Sequence, residues 1–143
     1  MSVSGAITRL LALSVTGVQS NAAVSIRPIE FADLPALRLD EVAQPFVGGL
    51  KAWNVAATKG TVTVLYDHML LISGGRDGRN IDRWDNRLLY FDRYLSAIAG
   101  DLTLNGELTE PLGLVMLKQG QIQLGHRFYD GLVFRHLWKL RIT

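Results

Sequence analysis

The chain has 143 residues, 48% of them hydrophobic and 20% charged, which bounds it to one folded domain and argues against global disorder. Fifteen basic residues, mostly arginine, stand against thirteen acidic ones for a net charge of +2. That balance is too mild for tight binding of nucleic-acid phosphates and suits protein interfaces as well, while the absence of cysteine excludes disulfides, thiolate catalysis and cysteine-based zinc sites.

The first element is a short helix, capped by Ser2 or Ser4, with Ile7, Leu10, Leu11 and Ser14 on one face and Gly17 as a stop. This stretch does not read as a signal peptide, because its apolar core is short, Arg9 sits inside it and no basic residue precedes it. No run reaches the roughly 18 apolar residues of a membrane span, so a soluble protein is expected. "QSNAA" reads as a polar break. Val24 and Ile26 then alternate with Ser25 and Arg27 as a strand, which Pro28 confines to an edge. After Pro35, Leu37 and Leu39 against Arg38 and Asp40 suggest a second short strand.

Residues 44–59 carry two glycines, a proline and Trp53 without periodicity, and read as a long loop bearing exposed apolar side chains. Gly60 to Ser73 is the strongest strand signal: Val62, Val64, Tyr66, His68, Leu70 and Ile72 share one face. "GGRDGR" punctuates the chain, and a long helix starts near Asn80 with Asp82 at its N-terminus. Ile81, Trp84, Leu88, Phe91, Leu95 and Ile98 form one apolar stripe along it, and Gly100 ends it. The remainder predicts two strands turning at Asp130-Gly131. In the last strand Leu132, Phe134, His136, Trp138, Leu140 and Ile142 form the core face, while Val133, Arg135, Leu137, Lys139 and Arg141 point outward beside a free edge. The expected fold is α+β: a mostly antiparallel sheet, a long helix packed on one face, and a short N-terminal helix, in one domain over residues 1–143.

No catalytic constellation emerges from the residue types. His68, His126 and His136 are three histidines without clustered carboxylates, although His68 and His136 could meet across a sheet. Asp67, His68 and Ser73 are no triad, because neighbours on a strand point to opposite faces. "GGRDGR" lacks the pattern of a phosphate loop, and Asp82, Asp85 and Asp92 read as water-facing helix charges beside Glu30. No enzyme, cofactor or metal is expected.

Several motifs in order do carry a likeness: the N-terminal helix and short strand before Leu34-Pro35-Ala36; a long strand pair with an irregular loop; a helix closed by Leu104, Asn105 and Gly106; and a hairpin with Gly120, Ile122, Gly125, Tyr129, Gly131 and Phe134. Over nearly its full length the chain resembles the tail terminator, or tail completion, proteins of long-tailed bacteriophages. It departs from them in a longer loop at 44–59 and in having no obvious acidic patch. The resemblance implies a structural virion protein at the tail–head joint. It would form a ring, usually a hexamer, that caps the tail tube, stops its polymerisation and meets the head–neck connector proteins, with genomic DNA passing through the lumen without sequence recognition. Interface positions suggested by exposure and residue type are Phe46, Leu50, Trp53, Arg76, Arg79, Arg135, Lys139 and Arg141. A head–neck adaptor or a tail tube subunit are alternatives of the same class. A small-molecule-binding or enzymatic domain, with a pocket near Tyr66, His68 and His136, is the alternative from another class.

Overall fold

The computed structural model describes residues 2–23, 29–40, 53–58, 61–74 and 80–141, with backbone alone for 40, 53–58, 61–62 and 80–82. In chain order the elements are α1 (Val3–Leu11), β1 (Ser20–Ala23), a 3-10 turn (Phe31–Asp33), β2 (Ala36–Asp40), β3 (Trp53–Thr58), β4 (Thr61–Gly74), α2 (Asn80–Ala99), β5 (Gly113–Leu124) and β6 (Arg127–Arg141). The sheet runs β1-β2-β4-β6-β5, and β3 lies beside β4. β1 and β2 are parallel, and every other pairing is antiparallel. This is the α+β fold expected from the sequence.

Helix α1 starts where Ser2 Oγ accepts the Gly5 N–H at 2.9 Å, the side-chain cap that an exposed first turn needs. Its spacing buries Ala6 and Leu10 completely. The expected polar break at Ser20–Ala23 is instead β1, held by parallel pairing to β2 rather than by any apolar alternation of its own. The strand expected at Val24 and Ile26 lies outside the described residues. Of the expected loop 44–59, residues 53–58 form β3, whose Thr58 pairs with Thr61 to make a hairpin with β4.

The centre of the molecule is the β4–β6 ladder, which runs from Thr61 opposite Arg141 to Gly74 opposite Tyr129 with one register shift between Leu71 and Ser73. One face of both strands builds the main core: Val64, Tyr66, His68, Leu70 and Ile72 with Leu132, Phe134, Trp138 and Leu140, roofed by Tyr94 and Ile98 of α2. On the other face, Met69, Leu71, Tyr129 and Val133 form a second cluster with Ile29, Leu34 and Ala36. That explains why this face of β4 changes along its length from Thr63 and Leu65 to Met69 and Leu71. Only its second half is covered by the 29–36 segment.

Two expectations about the C-terminal half are corrected. The hairpin turns at Gly125-His126, where Gly125 has φ +61° in a two-residue connection, not at Asp130-Gly131. Gly131 lies inside β6 for a steric reason: a Cβ there would stand 2.1 Å from the Leu70 carbonyl oxygen. Second, β6 has no free edge, because it is paired by β4 on one side and β5 on the other. Among the described residues, β5 ends the sheet on one side and the four-residue β1 on the other, each paired along one edge only.

After α2, Leu104, Asn105 and Gly106 all take positive φ, at 49°, 58° and 79°. Asp101 Oδ1 accepts the Asn105 N–H at 2.8 Å and steadies this left-handed turn, which turns Leu104 into the core. Gly131→Ala should therefore be severely destabilising, by about 3 kcal/mol or more, since backbone must move to admit the methyl. Gly106→Ala, with open space around it but a left-handed backbone, should cost about 1 kcal/mol. Urea unfolding of the two variants checks the contrast.

Candidate functional site

Five polar side chains of the main core form one chain. Trp138 Nε1 donates to His136 Nδ1 at 3.3 Å, and His136 Nε2 meets the Tyr94 hydroxyl at 2.6 Å. The same hydroxyl meets His68 Nδ1 at 2.8 Å, and His68 Nε2 meets Asn21 Oδ1 at 2.9 Å. Asn21 Nδ2 then donates to the carbonyls of Leu10 and Leu13 at 2.9 and 3.2 Å. Trp138, His136, Tyr94 and His68 are all fully buried.

The direction of every proton in this chain follows from its two ends. An indole N–H can only donate, so His136 Nδ1 accepts and its proton sits on Nε2, directed at Tyr94. At the other end the amide nitrogen of Asn21 is used by two carbonyls, so its oxygen accepts from His68 Nε2–H. His68 Nδ1 then accepts the Tyr94 O–H. Both ends impose the same polarity, and every nitrogen and oxygen is satisfied with both imidazoles neutral.

Sequence position explains how these groups meet. His68 and His136 share the core faces of β4 and β6, as the alternation predicted, and Tyr94 sits on α2 between Phe91 and Ile98. Its ring stacks on Phe134 at a centroid distance of 4.0 Å. Burial pushes His68 well below the ordinary histidine range, with His136 nearby adding to the effect, and pushes His136 down to about 4. Burial also raises the Tyr94 hydroxyl well above its ordinary value. At the position of the alternative pocket, His68 and His136 are fully buried and hydrogen-bonded to Tyr94, and Tyr66 packs against Trp138 with ring centroids 5.0 Å apart. A groove of about 430 Å³ lies elsewhere, between the α1–β1 connection and α2, lined by Ser14, Thr16, Leu89, Asp92, Arg93 and Ser96 among others. Among the described residues, no three histidine, aspartate or glutamate side chains are grouped to hold a metal ion, and no helix is long and apolar enough to cross a membrane.

Of the interface positions suggested by sequence, Phe46, Leu50, Arg76 and Arg79 lie outside the described residues, and Trp53 is described by its backbone in β3. Arg135 is not a free outward charge. Its Nε and Nη2 grip the two oxygens of Asp67 at 2.7 and 3.0 Å, across the β4–β6 register pair. Lys139 is 3.6 Å from Glu110, and Arg141 is exposed at the end of β6.

The surface that sequence reasoning missed is apolar. On α2, Trp84, Leu88 and Leu95 are each more than a third exposed, although the stripe was expected to be core. The helix is rotated so that Arg87, Tyr94 and Ile98 face the sheet, with Arg87 Nε donating to both oxygens of buried Asp130 at 3.1 Å. The opposite flank of α2 carries Arg93, whose Nη1 donates to the Thr16 carbonyl next to α1. At 100° per residue, Trp84, Leu88 and Leu95 therefore lie on the flank toward β5. Phe91 beside them stacks on Phe134, and Phe134 pairs with Met116 of β5. On β5 three consecutive residues are open to solvent: Val115 at 63%, Met116 at 41% and Leu117 at 48%. The signal available in sequence was the run "LVML" in a strand whose other residues include Lys118 and three glutamines.

Compared with known proteins, the chain matches no family model and no curated sequence.

The pKa directions set a pH dependence. Both imidazoles bind protons more weakly in the folded chain than in the unfolded one. Stability is therefore complete above about pH 6.5 and is lost as pH falls from there toward 4, by about 3 kcal/mol for His136 alone. Denaturant midpoints at pH 7.5, 5.5 and 4.5 should fall in that order. Tyr94→Phe removes the shared hydroxyl and leaves two buried ring nitrogens unpaired, which should cost about 2–4 kcal/mol at pH 7.5 in the same assay.

Proposed function

We propose that this protein is a structural virion component, a ring-forming tail terminator that caps the tail tube of a long-tailed bacteriophage, stops its polymerisation and joins the tail to the head or neck. The observation that carries the self-association in this reading is the pairing of an open sheet edge with an apolar helix flank on the same side of the molecule. β5 is twelve residues long with no proline; a single charge, Lys118, and the register shift beside it are its edge-protecting features, next to the exposed Val115, Met116 and Leu117. The adjoining Trp84, Leu88 and Leu95 have the character of an obligate contact. The particular role at the tail tube rests on the resemblance in motif order, as do the ring, the tube and connector partners and the passage of DNA.

The motif residues themselves act within the fold: Gly125 makes the turn, Gly131 passes under the Leu70 carbonyl, Tyr129 Oη donates to the Ile29 carbonyl at 2.6 Å, and Phe134 stacks on Tyr94. They would specify this hairpin in any protein that used it, so assembly is the property to test.

In this reading the purified protein forms a discrete closed oligomer, visible as rings in negative stain, and shortens tubes when added to polymerising tail tube subunits. A monomer at high concentration with no effect on tube length would refute it. The double substitution Val115→Lys and Leu117→Lys should weaken assembly at least 100-fold, about 2.7 kcal/mol, while the far-UV circular dichroism of the monomer stays unchanged. Light scattering after size exclusion reads the outcome.

A further inference from the structure

The hydrogen-bond chain from Trp138 to Asn21 crosses from the central strand to the N-terminal unit, residues 2–23. Within that unit Asn21 ties β1 to the end of α1 through the Leu10 and Leu13 carbonyls, and the His68–Asn21 bond at 2.9 Å ties the unit to β4. The unit's other side-chain ties are mostly nearer the surface: Ser2 N to Glu107, Arg9 to Asp101, Gln19 to the Leu34 carbonyl, and Arg93 to the Thr16 carbonyl. β1 itself contributes four register pairs at the sheet edge, against thirteen in the β4–β6 ladder.

A chain with one permitted polarity cannot accept a proton. If His68 Nδ1 is protonated, two N–H donors converge on the Tyr94 oxygen and its own proton loses its acceptor. If His136 Nδ1 is protonated, it meets the Trp138 N–H donor to donor. Among the described residues, no carboxylate is paired with either imidazole. Their core neighbours from α1 and β5 are Ala6, Leu10 and Leu114, and α2 adds Phe91 and Ile98. Tyr66 and Phe134 stand opposite them in the β4–β6 register, and Leu39 of β2 is opposite His68. The charged groups nearby are engaged elsewhere: Asp67 with Arg135 and Arg38 with Ser20 on or toward the other sheet face, Asp130 with Arg87 further along β6, and Asp101 with Arg9 at the end of α1.

We propose that the Trp138–His136–Tyr94–His68–Asn21 chain is a proton-operated latch, whose protonation releases the α1–β1 unit from the sheet while the β4–β6 body stays folded. The weakest joint is the half-buried Asn21 on its four-residue edge strand, so the strain of a misplaced proton is relieved there first. Release uncovers the outer edge of β2, replacing the four-residue edge of β1 with that of the five-residue β2. The latch is independent of the proposed virion role, and it is a narrower claim than a general loss of stability in acid.

Hydrogen exchange by mass spectrometry at pH 7.5 and 5.0, with exchange times scaled to intrinsic rates, tests it. Protection of residues 3–23 should fall at least tenfold at pH 5.0 while peptides from β4 and β6 keep theirs. Equal protection of residues 3–23 at both pH values, or loss in one step with β4 and β6, would overturn the latch. His68→Gln, whose amide can accept from Tyr94 and donate to Asn21 without titrating, should shrink the pH difference to the share carried by His136; a difference of wild-type size that persists in it counts against the proposal. Asn21→Ala should loosen residues 3–23 already at pH 7.5, and wild-type protection in that variant would also contradict it.

Discussion

The structure depends on one constraint: five polar side chains, drawn from β1, β4, α2 and β6, have to satisfy one another without water. Buried unpaired polar groups cost about 1–3 kcal/mol each, so a partial set would be worse than an apolar core. The complete set works because its ends agree. Trp138 can only donate and Asn21 has its nitrogen occupied, and the three groups between them have one arrangement that fits both. That agreement fixes the rotation of α2, which must bring Tyr94 between the two histidines, and the stacking of Tyr94 on Phe134 holds the ring in place.

The rotation has a consequence at the surface. With Arg87, Tyr94 and Ile98 turned to the sheet, the flank bearing Trp84, Leu88 and Leu95 turns toward β5 and is left uncovered. The apolar flank is thus the geometric complement of the polar interior. The open edge of β5 adjoins it through Phe91, Phe134 and Met116. An interior closed to solvent and a surface that is apolar along one side are properties suited to assembly, and this joins the physical description to the proposed ring.

Much of the architecture was legible in the sequence. The alternation of β4 and β6, the N-cap at Ser2 and the stop near Gly100 are local signals, and β2, β4 and α2 form where those signals stand; α1 starts at its cap but ends at Leu11, short of Gly17, and the final two strands turn at Gly125-His126 and not at Asp130-Gly131. What sequence could not show was set by distant partners. β1 is a strand because β2 lies beside it, and β3 because β4 does. The stripe on α2 has two candidate buried faces within one helical turn of each other, and hydropathy favoured Trp84 and Leu88 over Arg87 and Tyr94. The choice was made by Asp130 and the histidine pair, on strands far along the chain. Asp130-Gly131 has the composition of a turn, yet its glycine answers to the Leu70 carbonyl on a neighbouring strand. Of the candidate site, the two histidines were visible as a pair that could meet across the sheet, while Tyr94 and Asn21 were not, and Arg135 looked outward until Asp67 was placed opposite it.

The central claim is the polarity of the buried chain, and nitrogen-15 NMR of the imidazole rings tests it most directly. At pH 7.5 both His68 and His136 should be neutral, each with its proton on Nε2 and an unprotonated, hydrogen-bonded Nδ1. A proton on Nδ1 of either ring, or an imidazolium at that pH, would contradict the account.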